Sequence, residues 1–162
     1  MKPALSFSLR TAAIIGAAMV LGLSFNASRP DSLPLVYAQK SAVQLDNATG
    51  EIGIKDAALL YISKRAIFVD ARDAETYAEG HIQGALSLPA FDFAQKLPAL
   101  RQQLENQTII TYCDGEGCNL SHEVAGWLKD SGFKNVFVLK NGWTLWKAEN
   151  LPVGTGTGGS QP

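Results

Sequence analysis

Residues 111–124 read TYCDGEGCNLSHEV, and the reading of this stretch decides the fold. The apolar, β-branched run Thr108-Ile109-Ile110-Thr111-Tyr112 stops at Cys113, a glycine-bearing loop follows, and Ser121 opens an amphipathic stretch holding Val124, Ala125 and Leu128. That order predicts strand, loop and helix. A cysteine at the carboxyl end of a strand, facing the next helix N-terminus, lies where open α/β sheets bind ligands and where backbone N–H groups favour a thiolate. Gly115 and Gly117, with Asp114 and Glu116, make the loop turn-rich and solvated. Cys113 is therefore read as an accessible nucleophile; the competing reading is a small buried hydrophobe, the usual fate of a free cysteine.

Working outward, the same alternation repeats. Ile52 and Ile54 form a short edge element, and Asp56 is placed to cap a helix through Ala57, Leu60 and Ile62. Ile67-Phe68-Val69 is a wholly apolar run ending at Asp70, as expected of a strand buried on both faces. Asp73 caps a second helix that Gly80 ends. Ala85 to Leu88 is a further strand closed by Pro89, and Phe91 to Leu104 is helical in spacing but interrupted by Pro98, which predicts two short helices. Val136 to Leu139 is the last buried strand, and Gly142 to Ala148 a final helical turn. The expectation is a small open, mainly parallel, five-stranded α/β sheet with helices on both faces. Gly84 and Gly142 are read as turn glycines, and Trp143, Trp146 and Phe133 as packing residues.

The N-terminus is of another kind. Lys2 and Arg10 precede Thr11 to Phe25, which is free of charge and rich in Ala, Ile, Leu and Gly. This is the pattern of an export signal or uncleaved membrane anchor, although it is shorter than the ~20 residues that span a bilayer. Residues 1–38 are assigned to that segment and the start of a linker, 39–50 to the linker, 51–153 to the domain, and 154–162 to a disordered tail. Such a chain is expected outside the cytoplasm, in the periplasm, as a soluble or an anchored protein. The formal charge of the whole is −1, and the first 38 residues hold three of 14 basic and one of 15 acidic residues, leaving a mildly acidic domain. No Lys/Arg cluster is present to attract nucleic acid.

Two blocks of residues carry a family resemblance. The first is Phe68-Val69-Asp70-Ala71-Arg72, with Glu75, Tyr77 and Gly80-His81-Ile82-Gln83-Gly84-Ala85; the second is Thr111-Tyr112-Cys113, Gly132-Phe133-Lys134-Asn135-Val136 and Leu139-Lys140-Asn141-Gly142-Trp143, closed by Trp146. Over about Gly53 to Pro152 the chain resembles the rhodanese-like domains. The resemblance implies that Cys113 accepts sulfane sulfur, holds it as a persulfide among loop N–H groups and passes it to a thiophilic acceptor. It implies no cofactor, and as partners a sulfur-donating or accepting small molecule or thiol protein.

The loop Asp114-Gly115-Glu116-Gly117-Cys118-Asn119-Leu120-Ser121 departs from that family's pattern. It is two residues longer, and the anion-binding arginine expected before the helix is absent, with Leu120 or Cys118 at its place. Asp114 and Glu116 add negative charge, and a carboxylate ~6 Å from a thiolate costs about 0.7 kcal/mol even in water, comparable to what a helix N-terminus returns. Thiosulfate and phosphate are accordingly poor ligands. Cys118 offers the departure a purpose: with four residues between the two, it can close a disulfide with Cys113 and resolve a persulfide or mixed disulfide. Two alternatives stand beside this: an inactive binding module in which the pair is a structural staple, and a zinc site from Cys113, Cys118 and His122 with Asp114 or Glu116. Asp70 and Arg72 are expected as a supporting ion pair, and His81 as a locally bonded turn residue.

Overall fold

Side chains alternate across the strands, and this alternation divides the core in two. Val69, Ile109, Val136 and Val138 point to one face, and Phe68, Ile110, Tyr112, Phe137 and Leu139 to the other. In a computed structural model, which describes residues 3–28 and 50–157, four parallel strands lie in the order β3-β1-β4-β5. They are β1 (Ile67–Asp70), β3 (Leu86–Ser87), β4 (Ile109–Tyr112) and β5 (Val136–Leu139). The register sets Asp70 beside Tyr112, and Tyr112 beside Leu139, so the carboxyl ends of the central strands are level. A small antiparallel pair, β2 (His81–Ile82) with β6 (Val153–Gly154), completes the strands.

Each face of the sheet is sealed by helices. On one side, α4 (Phe93–Leu104) contributes Leu97 and Leu104, and α5 (Leu120–Asp130) contributes Val124, Ala125 and Leu128. On the other, α2 (Ile54–Ile62) supplies Ala57 and Leu60, and α6 (Gly142–Ala148) supplies Trp143 and Trp146. A short helix, α3 (Ala74–Glu79), follows β1; the Asp73 carboxylate accepts from Thr76 N–H at 2.8 Å, as its capping position predicts.

Several expectations are corrected. The sheet has four strands rather than five, because the segment at Glu51 makes a single bridge to Val138 before Gly53 caps α2; Asp56 lies inside the first turn of that helix rather than at its cap. Residues 93–104 form one helix with Pro98 inside it, preceded by a 3-10 turn at Ala90–Asp92. Ordered structure continues past residue 153: Gly154 pairs with His81, and Gly156 N–H donates to Ala78 O. Residues 158–162 of the expected tail, and nearly all of the expected linker, lie outside the described residues.

The chain divides into two units, Met1–Lys40 and Ser41–Pro162. The first contains α1 (Pro3–Ala27), whose apolar residues are spread around its axis rather than gathered on one face. Among the described residues no helix is long and apolar enough to cross a membrane, so the membrane-anchor reading is not supported. The uncharged run of 15 residues, Thr11 to Phe25, rises only about 22 Å, short of a ~30 Å hydrocarbon layer.

One buried carboxylate organises the end of the sheet that carries the loop. Asp70 is fully buried and accepts from the backbone N–H of Arg72 at 3.0 Å, from its Nε at 2.9 Å and from its Nη2 at 2.6 Å. Arg72 Nη2 also donates to Gly80 O, and Tyr112 Oη accepts from Ile82 N–H at 3.0 Å. Burial, the charge of Asp70 and a hydrogen bond to it raise the Tyr112 phenol far above its ordinary pKa. It therefore stays protonated. Burial disfavours the Arg72 charge, but hydrogen bonding and attraction from Asp70, with smaller contributions from Tyr112 and Asp114, more than offset it and raise its pKa.

Two expected outcomes follow from this packing. Asp70→Asn leaves a buried guanidinium without its counter-charge and should lower unfolding free energy by about 3–5 kcal/mol in denaturant titrations, whereas Asp92→Asn, breaking an exposed pair with Lys96, should change it by under ~0.5 kcal/mol. Gly142 is needed for close approach rather than for a turn, since a Cβ there would meet Tyr112 Cβ at 2.7 Å. Gly142→Ala should cost about 1–3 kcal/mol; Gly126→Ala, with open space around it, should be neutral or stabilise α5 by up to about 1 kcal/mol.

Candidate functional site

Cys113 follows directly on β4, at the end of the sheet where Asp70 holds Tyr112 and Arg72. Its carbonyl accepts Trp143 N–H at 3.1 Å, which ties the start of the loop to the first turn of α6. Its sulfur is bonded to Cys118 in a disulfide with a Cα–Cα separation of 6.4 Å. The loop curls back through Gly115, whose φ of +78° lies in the left-handed region, and Cys118 N–H donates to Gly115 O. Glycine at 115 thus serves the turn that brings the two sulfurs together.

The sulfur of Cys113 also lies 3.3 Å from Ser121 Oγ, on the first turn of α5, and 3.3 Å from the carbonyl oxygen of Cys118. Ser121 is itself fully buried, and its carbonyl accepts from Thr111 Oγ1 at 2.9 Å. Strand, loop and helix are therefore clasped around one sulfur atom. Cys113 has 0% exposure, where the sequence led to an accessible thiol. The solvated character of the loop holds for Asp114, Glu116, Gly117 and Asn119, which are exposed, while Cys118 and Leu120 are half-buried. The disulfide folds these residues over the first cysteine, and hydrophilic loop composition does not report which atoms it covers.

The remaining expected residues are distributed as follows. Asp70 and Arg72 form a buried ion pair at 2.6 Å beside the loop. Asp114, instead of only repelling the thiolate, accepts a hydrogen bond from Thr144 Oγ1 of α6. Asn119 precedes α5 without a side-chain capping bond. His122 points to Glu51, Nε2 to Oε1 3.8 Å, and the two sulfurs are bonded to each other, so these side chains are not arranged around a common metal position. Among the described residues no group of three His, Cys, Asp or Glu is placed to hold a metal ion. His81 is buried, stacked on Tyr77 at 3.8 Å between centroids, with Nδ1 2.8 Å from Tyr77 O.

Tyr112, Trp143, Thr144 and Lys147 escaped the sequence reading as site residues. A cavity of about 340 Å³ next to the loop is lined by Arg72, Thr76, Glu79, Gly80, Asp114, Trp143 and Lys147. Arg72 Cζ and Lys147 Nζ lie 4.8 and 4.9 Å from the Trp143 ring centroid. A larger groove, about 440 Å³ along Ala90, Phe91, Phe93 and Trp127, includes no loop residue and is remote from the cysteines in its lining.

Comparison with known proteins bears on the family and the fold. The family model described as "Rhodanese-like domain" matches residues 54–149. The chain is 34% identical over 99 residues to the uncharacterized protein YibN of Escherichia coli (strain K12), covering 60% of this chain and 67% of that one. It is 35% identical over 95 residues to a tRNA uridine(34) hydroxylase of Enterobacter sp. (strain 638), covering 54% of this chain but only 27% of the relative. Among solved structures, the BH2092 protein from Bacillus halodurans superposes with a TM-score of 0.59 at 32% identity, covering 68% of this chain and 81% of that one. A thiosulfate sulfurtransferase from Pseudomonas aeruginosa gives a TM-score of 0.55 at 25% identity, covering 64% of this chain and 19% of that one. With its parallel sheet, its cysteine at the end of β4 and a family match over more than half its length, the chain belongs to the rhodanese-like domain family.

Proposed function

We propose that this domain carries sulfane sulfur on Cys113 and that Cys118 resolves the loaded form. The observation that carries the reading is the pairing of two cysteines in the loop after the central strand, with Ser121 Oγ 3.3 Å from the Cys113 sulfur. An external dithiol reduces the pair and leaves as its own disulfide. The freed Cys113 thiolate then attacks the outer sulfur of a persulfide donor; the donor's S–S bond breaks, the donor departs as a thiolate, and Cys113 holds the transferred sulfur. Ser121 can donate its hydroxyl proton to the Cys113 thiolate, a charge-assisted bond worth roughly 1.5–3 kcal/mol. That donor takes over part of the work of the loop's missing arginine.

The loaded sulfur has two exits. An acceptor thiol attacks the outer sulfur and releases Cys113 as a thiolate, or Cys118 attacks the inner sulfur, expels hydrosulfide and restores the disulfide. In the second exit the two cysteines are oxidised as the sulfane sulfur is reduced to sulfide. Asp114 and Glu116 favour donors of low negative charge over thiosulfate. Lys2 and Arg10 ahead of the uncharged run Thr11 to Phe25 support an extracytoplasmic location, where a disulfide resting state is stable.

The complete burial of Cys113 favours a second reading, a binding module in which the disulfide is a staple. Mass spectrometry separates the two. After reduction and exposure to a persulfide donor, Cys113 should gain about 32 Da, one sulfur atom, and the oxidised protein should gain nothing. Cys118→Ser should prolong the lifetime of that adduct at least about tenfold by removing the resolving exit. A reduced protein that takes up no sulfur, together with a Cys113→Ser variant that keeps its partner, would establish the module instead.

A further inference from the structure

The cavity beside the loop has a charge pattern that the sulfur-carrier reading does not use. Glu79, the last residue of α3, and Lys147, in the last turn of α6, are exposed and line the same space, yet among the described residues neither belongs to an ion pair. Arg72 spends Nε and Nη2 on Asp70 and Gly80, so its Nη1 edge is the part not engaged by them. Asp114, the residue after the sulfur-bearing cysteine, is fixed by Thr144 and also lines the cavity. The indole of Trp143 lies against both cations. Two cationic and two anionic side chains therefore border one space of about 340 Å³ that begins one residue from Cys113.

A purely anionic ligand would meet Glu79 and Asp114, and a purely cationic one would meet Arg72 and Lys147. A ligand with both charges on one carbon satisfies both sets. We propose that this cavity binds the α-ammonium and α-carboxylate of a small thiol of amino-acid type, with Lys147 and Arg72 facing the carboxylate and Glu79 and Asp114 the ammonium. Resting on the sulfur-carrier reading, this ligand is the acceptor. Its thiolate attacks the outer sulfur of the Cys113 persulfide, a new S–S bond forms on the ligand as the one to Cys113 breaks, and Cys113 leaves as a thiolate that takes up the proton given by the incoming thiol. No net oxidation occurs, so no further reagent is needed.

The binding step can be tested without sulfur chemistry. Nuclear magnetic resonance titration of the full chain in its oxidised form with S-methyl-L-cysteine should give saturable shifts at the Trp143 indole N–H and the Asp114 amide. The affinity should be on the order of millimolar, the scale of a small ligand held by solvated ion pairs. 3-(Methylthio)propionate and 2-(methylthio)ethylamine, which carry one charge each, should bind about tenfold more weakly, as should S-methyl-L-cysteine to Lys147→Ala and to Glu79→Gln. Equal binding of all three compounds, no saturable shift, or no change in either variant would overturn the proposal. In turnover, Lys147→Ala should raise KM for L-cysteine several-fold more than it raises KM for 2-mercaptoethanol; an equal change for both thiols, or none, would remove the acceptor role. Failure of Cys113 to load in the unmodified protein overturns the sulfur-carrier reading and the acceptor role with it, while the titration still decides the binding site.

Discussion

The Asp70 carboxylate is the constraint on which the loop end of the sheet depends. Burying a carboxylate is costly unless every lone pair is met, and here the backbone and side chain of Arg72 and the phenol of Tyr112 meet them. Arg72 reaches on to Gly80, and Tyr112 receives the N–H of Ile82. One charge thereby fixes the exits of β1 and β4 and the start of β2. The residue after Tyr112 is Cys113, so its placement is inherited from a network it does not join.

The loop holds no guanidinium, and the groups that meet the Cys113 sulfur are a second cysteine and a hydroxyl. Cys118 closes over Cys113, and Ser121 lies within hydrogen-bonding distance of the same sulfur. In the disulfide form the Cys113 sulfur is fully buried beneath the loop. Asp114 is turned toward Thr144, so its carboxylate anchors the loop on α6. Two cations that line the cavity beside the loop come from elsewhere in the chain, Arg72 after β1 and Lys147 from α6.

Much of the fold was legible locally. Wholly apolar runs at 67–69, 109–110 and 136–139 are strands because a parallel sheet covered on both faces needs apolar residues on both sides. Asp73 announced its helix because an N-cap is made within three residues. Where the reading failed, the deciding partner was distant in sequence or the element was short. The edge at Glu51 yields one bridge because Gly53 already caps a helix, and Gly154 is ordered by pairing with His81 across the domain. Gly142 looked like a turn glycine, yet its constraint is the Cβ of Tyr112 on another strand.

The sequence by itself determined the parallel α/β architecture, the position of Cys113 after the central strand, the absence of a cation from its loop and the reach of Cys118. These follow from periodicity and from spacings of a few residues. Tertiary structure alone decided that Cys113 is sealed, that Ser121 addresses its sulfur and that Tyr112 and Arg72 share one carboxylate. It also decided that Arg72, Glu79, Asp114, Trp143 and Lys147 border one cavity. Those facts depend on which strand ends are level and which helices cross above them, and no local pattern encodes the meeting of side chains brought together from the ends of β1 and β4 and from two different helices.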